Sequence, residues 1–211
     1  GEQTALSGFA FPPSAGTGEV LVDGWELRFE RVLVTIGDVE LHENPDKVPT
    51  DPSQTGPVVA RRSGPWVVDL HQRGPLTGEG SGTSERPQPI TAFTGQNLRD
   101  NAPFARDMRY GVSFRSVPAT ADATRVALDV AAEADYQEMV AKGWTTLLVG
   151  EAWFRGTNCT SSDPSYDFSA VPTHVRLRIG LATPAHWINC QNERLAPAQG
   201  IGDEEYPRGV Q

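Results

Sequence analysis

Two acid-x-His patterns are the first places where this chain could do chemistry: Glu40-Leu41-His42 and Asp69-Leu70-His71. On a β-strand, residues i and i+2 share a face. In each pattern the carboxylate and the imidazole therefore point the same way, with leucine opposite. Imidazole nitrogens with carboxylate oxygens suit zinc or copper, the carboxylate serving as a ligand or as the group that orients the histidine. If the two strands are neighbours in suitable register, Glu40, His42, Asp69 and His71 converge on one metal ion. The alternative is the polar outer face of a half-exposed sheet, where such pairs arise without a common role.

Other chemistry is sparser. His174 and His186 are too far apart for a local motif, and both read as loop or strand-end residues, His186 beside Trp187. Acidic loops offer Asp46, Asp51, Glu79, Glu85, Asp163 and the run Asp203-Glu204-Glu205, a supply of oxygens for calcium but without the spacing of an EF-hand loop. G-x-S-x-G, H-E-x-x-H, Walker A and dinucleotide fingerprints are all missing. A glycosidase needs only two carboxylates at the right separation, so a carbohydrate-active enzyme stays as a further alternative. Asn158-Cys159-Thr160 matches N-x-T, which matters only in a glycosylating pathway.

The elements that would position these residues read as strands. Trp25–His42 is the longest strand-like run, with Asp23-Gly24 in front of it. Its alternation changes phase twice. Trp25, Leu27 and Phe29 share one face, Val32, Val34 and Ile36 have even register, and Val39 and Leu41 return to odd. Period-2 alternation predicts slips near Glu30-Arg31 and at Gly37, giving one long bent strand or two strands joined at Gly37. Asp-Gly between apolar runs predicts a hairpin of Glu19–Val22 with Trp25–Phe29. A second hairpin is expected from Val58–Ala60 and Trp66–His71. Further strands are expected at Asp107–Val117, with Tyr110, Val112 and Phe114 on one face, at Arg125–Val130, Trp144–Phe154 and Tyr166–Phe168, and at His174–Leu181. In the last of these, Val175, Leu177, Ile179 and Leu181 point inward and Arg176 and Arg178 outward. One short helix is expected near 135–142, opened by the Asp135/Glu138 capping pattern and stopped by Gly143. Many turn-separated strands with one helix predict an all-β, antiparallel β-sandwich of jelly-roll or Ig-like type. Residues 1–18 read as a leader, a linker or an edge strand pinned by Phe9 and Phe11. Residues 19–190 form a single domain, and 191–211 a polar C-terminal tail that reads as truncated.

Composition narrows the class. The net charge of −9 and the absence of a Lys/Arg-rich run argue against nucleic acid. No apolar run is long enough for a transmembrane helix. With 21 glycines and 17 prolines, turns outweigh long helices. Cys159 and Cys190 are the only cysteines, and without CxxC spacing they are read as one disulfide of an exported protein. Closing that loop is worth about 3–4 kcal/mol in the chain-entropy account. Trp153, Tyr166 and Trp187 lie near these cysteines in sequence, as a stapled core region or an aromatic ligand cleft.

DGWELRFERVLVTIGDVELH, GPWVVDL, MVAKGWTTLLVGEA, YDFSAV and the terminal PRGVQ resemble a family of uncharacterised exported bacterial lipoproteins. The resemblance implies a lipid anchor on a cysteine just upstream of Gly1, and relatives that continue past PRGVQ. It brings no activity. The expectation is an exported, non-enzymatic binding or structural protein of the envelope or surface, located in the periplasm, on the outer membrane or outside the cell. Its partner would be another protein or further copies of itself. The first alternative is a copper- or zinc-binding protein built on the acid-x-His pairs.

Overall fold

The computed structural model of the protein describes residues 3–13, 21, 23–43, 55–74, 88–93, 110–157, 162, 163, 165 and 171–190, with the backbone alone at Gln3 and Asn189. The described elements are arranged about one strand, β1 (Trp25–His42), of 18 residues. The other elements are a short helix α1 (Gln3–Ser7), β2 (Val58–Arg62), β3 (Trp66–Asp69), β4 (Gly111–Ser116), β5 (Thr124–Val126), α2 (Val130–Lys142), β6 (Thr146–Phe154), β7 (His174–Leu181) and β8 (His186–Cys190). The eight strands form one mixed sheet, and the fold is all-β. Among the described residues no helix is long and apolar enough to cross a membrane.

β1 is long enough to serve two strands in succession on each edge. One edge carries β6, from Trp25 to Val34, and then β4, from Ile36 to His42. The other carries β3, from Leu33 to Ile36, and then β2, from Val39 to His42. β2 and β3 are therefore laid end to end along β1 and do not form the expected hairpin with each other. β5 adds to β3 in parallel, β7 extends the sheet beyond β6, and β8 extends it beyond β4.

The phase slips in β1 are bulges. Pairing with β6 shifts between Phe29 and Arg31, and pairing with β4 shifts between Ile36 and Val39. Each inserted residue turns the strand so that the next apolar side chain returns to the same face. Phe29, Val32, Val34, Ile36 and Val39 consequently belong to one cluster, with Val68, Leu148, Phe114 and Ala5 of α1. At the second bulge a Cβ on Gly37 would come within 2.7 Å of the Val117 side chain, which would have to shift to admit it.

The opposite face of the sheet is covered by α2. Leu33, Val67, Leu147 and Val149 pack against Ala132, Tyr136 and Met139. α2 begins earlier than the capping pattern predicted. Asp129 is the N-cap, its carboxylate accepting from the Ala132 N–H at 2.7 Å. Asp135 lies inside the helix, where it pairs with Arg31 and, at 2.8 Å, with Arg178. Gly143 ends the helix as expected, in the left-handed region at φ 67°. Trp144 then lies flat across β7, so that a Cβ on Gly180 would meet its ring at 2.1 Å.

Near the N-terminus, Phe9 forms a bridge to Leu27, donating and accepting at 2.8 Å. Leu27 pairs with Ala152 on its other edge. Both edges of Leu27 are thus filled, and the predicted hairpin does not form at that residue. Its partner segment 19–22 lies outside the described residues except for Leu21, as does the strand expected at Tyr166–Phe168. Phe9 is held to β1 by a single isolated bridge, while Gln3–Ser7 ahead of it is helix and not an edge strand.

Candidate functional site

Glu40 and His42 share a face as expected. Glu40 stands between Arg61 of β2 and Ser113 of β4, and His42 Nε2 is 3.4 Å from the Glu40 carboxylate. Arg61 donates to the same carboxylate at 2.6 Å. The second ring nitrogen of His42 lies 3.2 Å from the Gly56 carbonyl. Ser113 Oγ and His42 Nε2 are buried without a hydrogen-bond partner among the described residues. Arg61 and Ser113 come to Glu40 through strand register, which is not written in either local sequence.

Asp69 and His71 do not join them. β3 is a neighbour of β1, but Asp69 sits opposite Leu33. That is seven residues from Glu40, about 20 Å along the strand. Nor do the Asp69 and His71 side chains form an ion pair among the described residues. The strand ends at Asp69 and the chain turns, so one carboxylate oxygen caps the turn, accepting from Val32 N–H at 2.9 Å and His71 N–H at 3.0 Å. The His71 ring instead meets the Ala5 carbonyl of α1 at 2.8 Å. The four-residue metal site is therefore corrected. Among the described residues no three His, Cys, Asp or Glu side chains gather to hold an ion. Burial raises the Asp69 carboxyl above its ordinary value, against the opposing pull of the Val32 and His71 N–H groups.

The disulfide expectation meets a similar limit. Cys190 in β8 has no disulfide partner among the described residues, burial pushes its thiol pKa up, and Cys159 lies outside them. No disulfide is present among the described residues. Asn158 and Tyr166 also lie outside them.

Among the described residues, β7 and β8 lie at an outer edge of the sheet. On β7, Val175, Leu177, Ile179 and Leu181 share one face as expected, but an edge position leaves the row open, with Ile179 45 % and Leu181 46 % exposed. Trp187 of β8, 42 % exposed, stacks on Phe114 with ring centres 4.9 Å apart. His186, read from sequence as a loop or strand-end residue, opens the strand β8, which pairs with β4. Its short apolar run after Pro184 was the available signal.

The other face of β7 is basic and aromatic. His174 stacks on Trp153 at 5.1 Å, and Arg28 and Arg155 lie over the same indole at 5.5 and 5.9 Å. Glu151 faces His174 at 3.2 Å and Arg176 at 3.5 Å. Arg178 holds Asp135 and Glu138 of α2, and those carboxylates keep its guanidinium pKa raised. Trp153 is thus enclosed by its own neighbours, while Arg176 keeps 87 % of its side chain in solvent. Apolar side chains on one face and guanidinium groups on the other suit contact with another polypeptide. Comparison with protein-family models, with curated proteins and with solved structures finds no match to this chain.

Proposed function

We propose that this chain is a non-enzymatic binding protein of the bacterial envelope or cell surface, meeting its protein partner through the β7–β8 edge. The observation that carries the proposal is the exposure of Ile179, Leu181 and Trp187 on consecutive strands of that edge. Large apolar side chains grouped on a folded surface are a common mark of an interaction site. The envelope location comes from the likeness to exported lipoproteins alone.

The test replaces Ile179, Leu181 and Trp187 together by serine and compares both proteins by cross-linking in the native host's envelope. Wild-type protein is expected to give a discrete complex with a second polypeptide. The triple variant, with an unchanged circular dichroism spectrum, is expected to lose it. Identical cross-linked products from both proteins would overturn the proposal.

A further inference from the structure

The outer edge of β7 combines an open backbone ladder with a sorted pair of faces. Phe154 N–H donates to the Thr173 carbonyl at 2.8 Å, and Thr145 N–H to the Leu181 carbonyl at 2.7 Å. Antiparallel bonding alternates residue by residue. The N–H and C=O groups of Val175, Leu177 and Ile179 are thereby directed at β6, and those of His174, Arg176, Arg178 and Gly180 away from it. Among the described residues β7 pairs with β6 and with no other strand. The outward groups thus form a template for an added strand.

The side chains say what kind of strand fits. An incoming segment has one face beside Val175, Leu177, Ile179 and Leu181 and the other beside Arg176, whose side chain is 87 % exposed, Arg178 being held by Asp135 and Glu138 and His174 lying against Glu151. A second copy of β7 running antiparallel sets arginine against arginine across the new ladder, and like charges facing one another destabilise a strand pair. A segment with apolar residues on one face and a carboxylate opposite the exposed Arg176 satisfies both sides. We infer that β7 accepts an extended acidic–apolar segment of a partner protein as an added antiparallel strand. This rests on the binding role proposed for the same edge and names the chemistry of its occupant.

The test uses the full chain and a fluorescent synthetic peptide of about ten residues, the length of a strand, with glutamate and valine alternating. A second peptide carries lysine in place of glutamate. Fluorescence anisotropy is expected to show the glutamate peptide binding at least roughly tenfold more tightly than the lysine peptide. Arg176→Pro removes an outward N–H without touching the ladder to β6, the one setting in which an edge strand tolerates proline. It is expected to abolish binding of the glutamate peptide. Arg176→Glu is expected to shift the preference towards the lysine peptide, and it decides the matter alone if the proline variant misfolds. Equal binding of the two peptides by wild-type protein, or an unchanged preference in Arg176→Glu, would overturn the inference. If neither peptide binds while the triple serine variant still loses its cross-linked complex, strand addition is wrong and the binding role stands.

Discussion

The face of the sheet under α2 and the outer edge at β7–β8 use the same kinds of side chain to opposite effect. Under α2, Leu33, Leu147, Tyr136 and Met139 are fully buried and the flanking charges are spent within the molecule, Arg31 and Arg178 on Asp135. At the edge, Ile179 and Leu181 belong to a strand of equal regularity, yet each keeps nearly half its surface in water. Alternation decides which face a residue takes. Whether that face is filled depends on a covering element, and the α2 face has one. The contrast is between apolar side chains that α2 covers and apolar side chains of β7 that no described element covers.

The widest separation should come from matched truncations. Leu147→Ala is expected to cost about 3 kcal/mol, because a fully buried leucine leaves a cavity. Ile179→Ala should cost less than about 1 kcal/mol, its side chain having less burial to lose. Guanidinium denaturation of both variants measures the difference. Equal losses would erase the distinction between the two regions.

A smaller effect tests how α2 is held over its face. Asp129→Ala removes the carboxylate that caps the Ala132 N–H. A lost N-cap costs about 1 kcal/mol. The denaturation midpoint should fall accordingly, whereas Asp129→Asn should recover most of it. If Asp129→Ala leaves the midpoint in place, the helix does not depend on this cap.

The smallest effect concerns Asp69, opposite Leu33 on β3. Its folded pKa is raised above the ordinary 3.8, so the folded protein holds this proton more tightly than the unfolded chain. The stabilisation is fully present below 3.8 and is lost as pH rises through the folded value. Relative to Asp69→Asn, which cannot titrate, wild-type protein should therefore lose stability as pH rises from 3.8 through the folded value. Parallel stability curves for the two proteins across that interval would show that the carboxyl is not perturbed by burial.

What was legible in the sequence follows the range over which each signal acts. Both phase slips in β1 were readable, since apolar side chains had to return to one face and Gly37 marked the place. The bounds of β7 and the stop at Gly143 were equally local. The β2–β3 hairpin was misjudged because two short runs joined by a Pro-containing turn look alike whether they pair with each other or both lie along a longer strand. Asp135 looked like a helix start because nothing near it in sequence reveals Arg31 and Arg178. At the acid-x-His pairs, period 2 placed Glu40 beside His42 correctly. It failed for Asp69 and His71 because the strand ends between them. The exposure of Ile179 and Leu181 was hidden for a related reason: an alternating pattern says nothing about whether a neighbour covers the apolar side.

Amide hydrogen exchange resolved residue by residue along β7 tests the central claim most directly, because it reads which side of the strand is engaged. The account predicts slow exchange at Val175, Leu177 and Ile179, whose N–H groups face β6, and fast exchange at Arg176, Arg178 and Gly180, whose N–H groups face outward. Equal protection of the two sets in the isolated protein would contradict it, because the edge would then already be occupied.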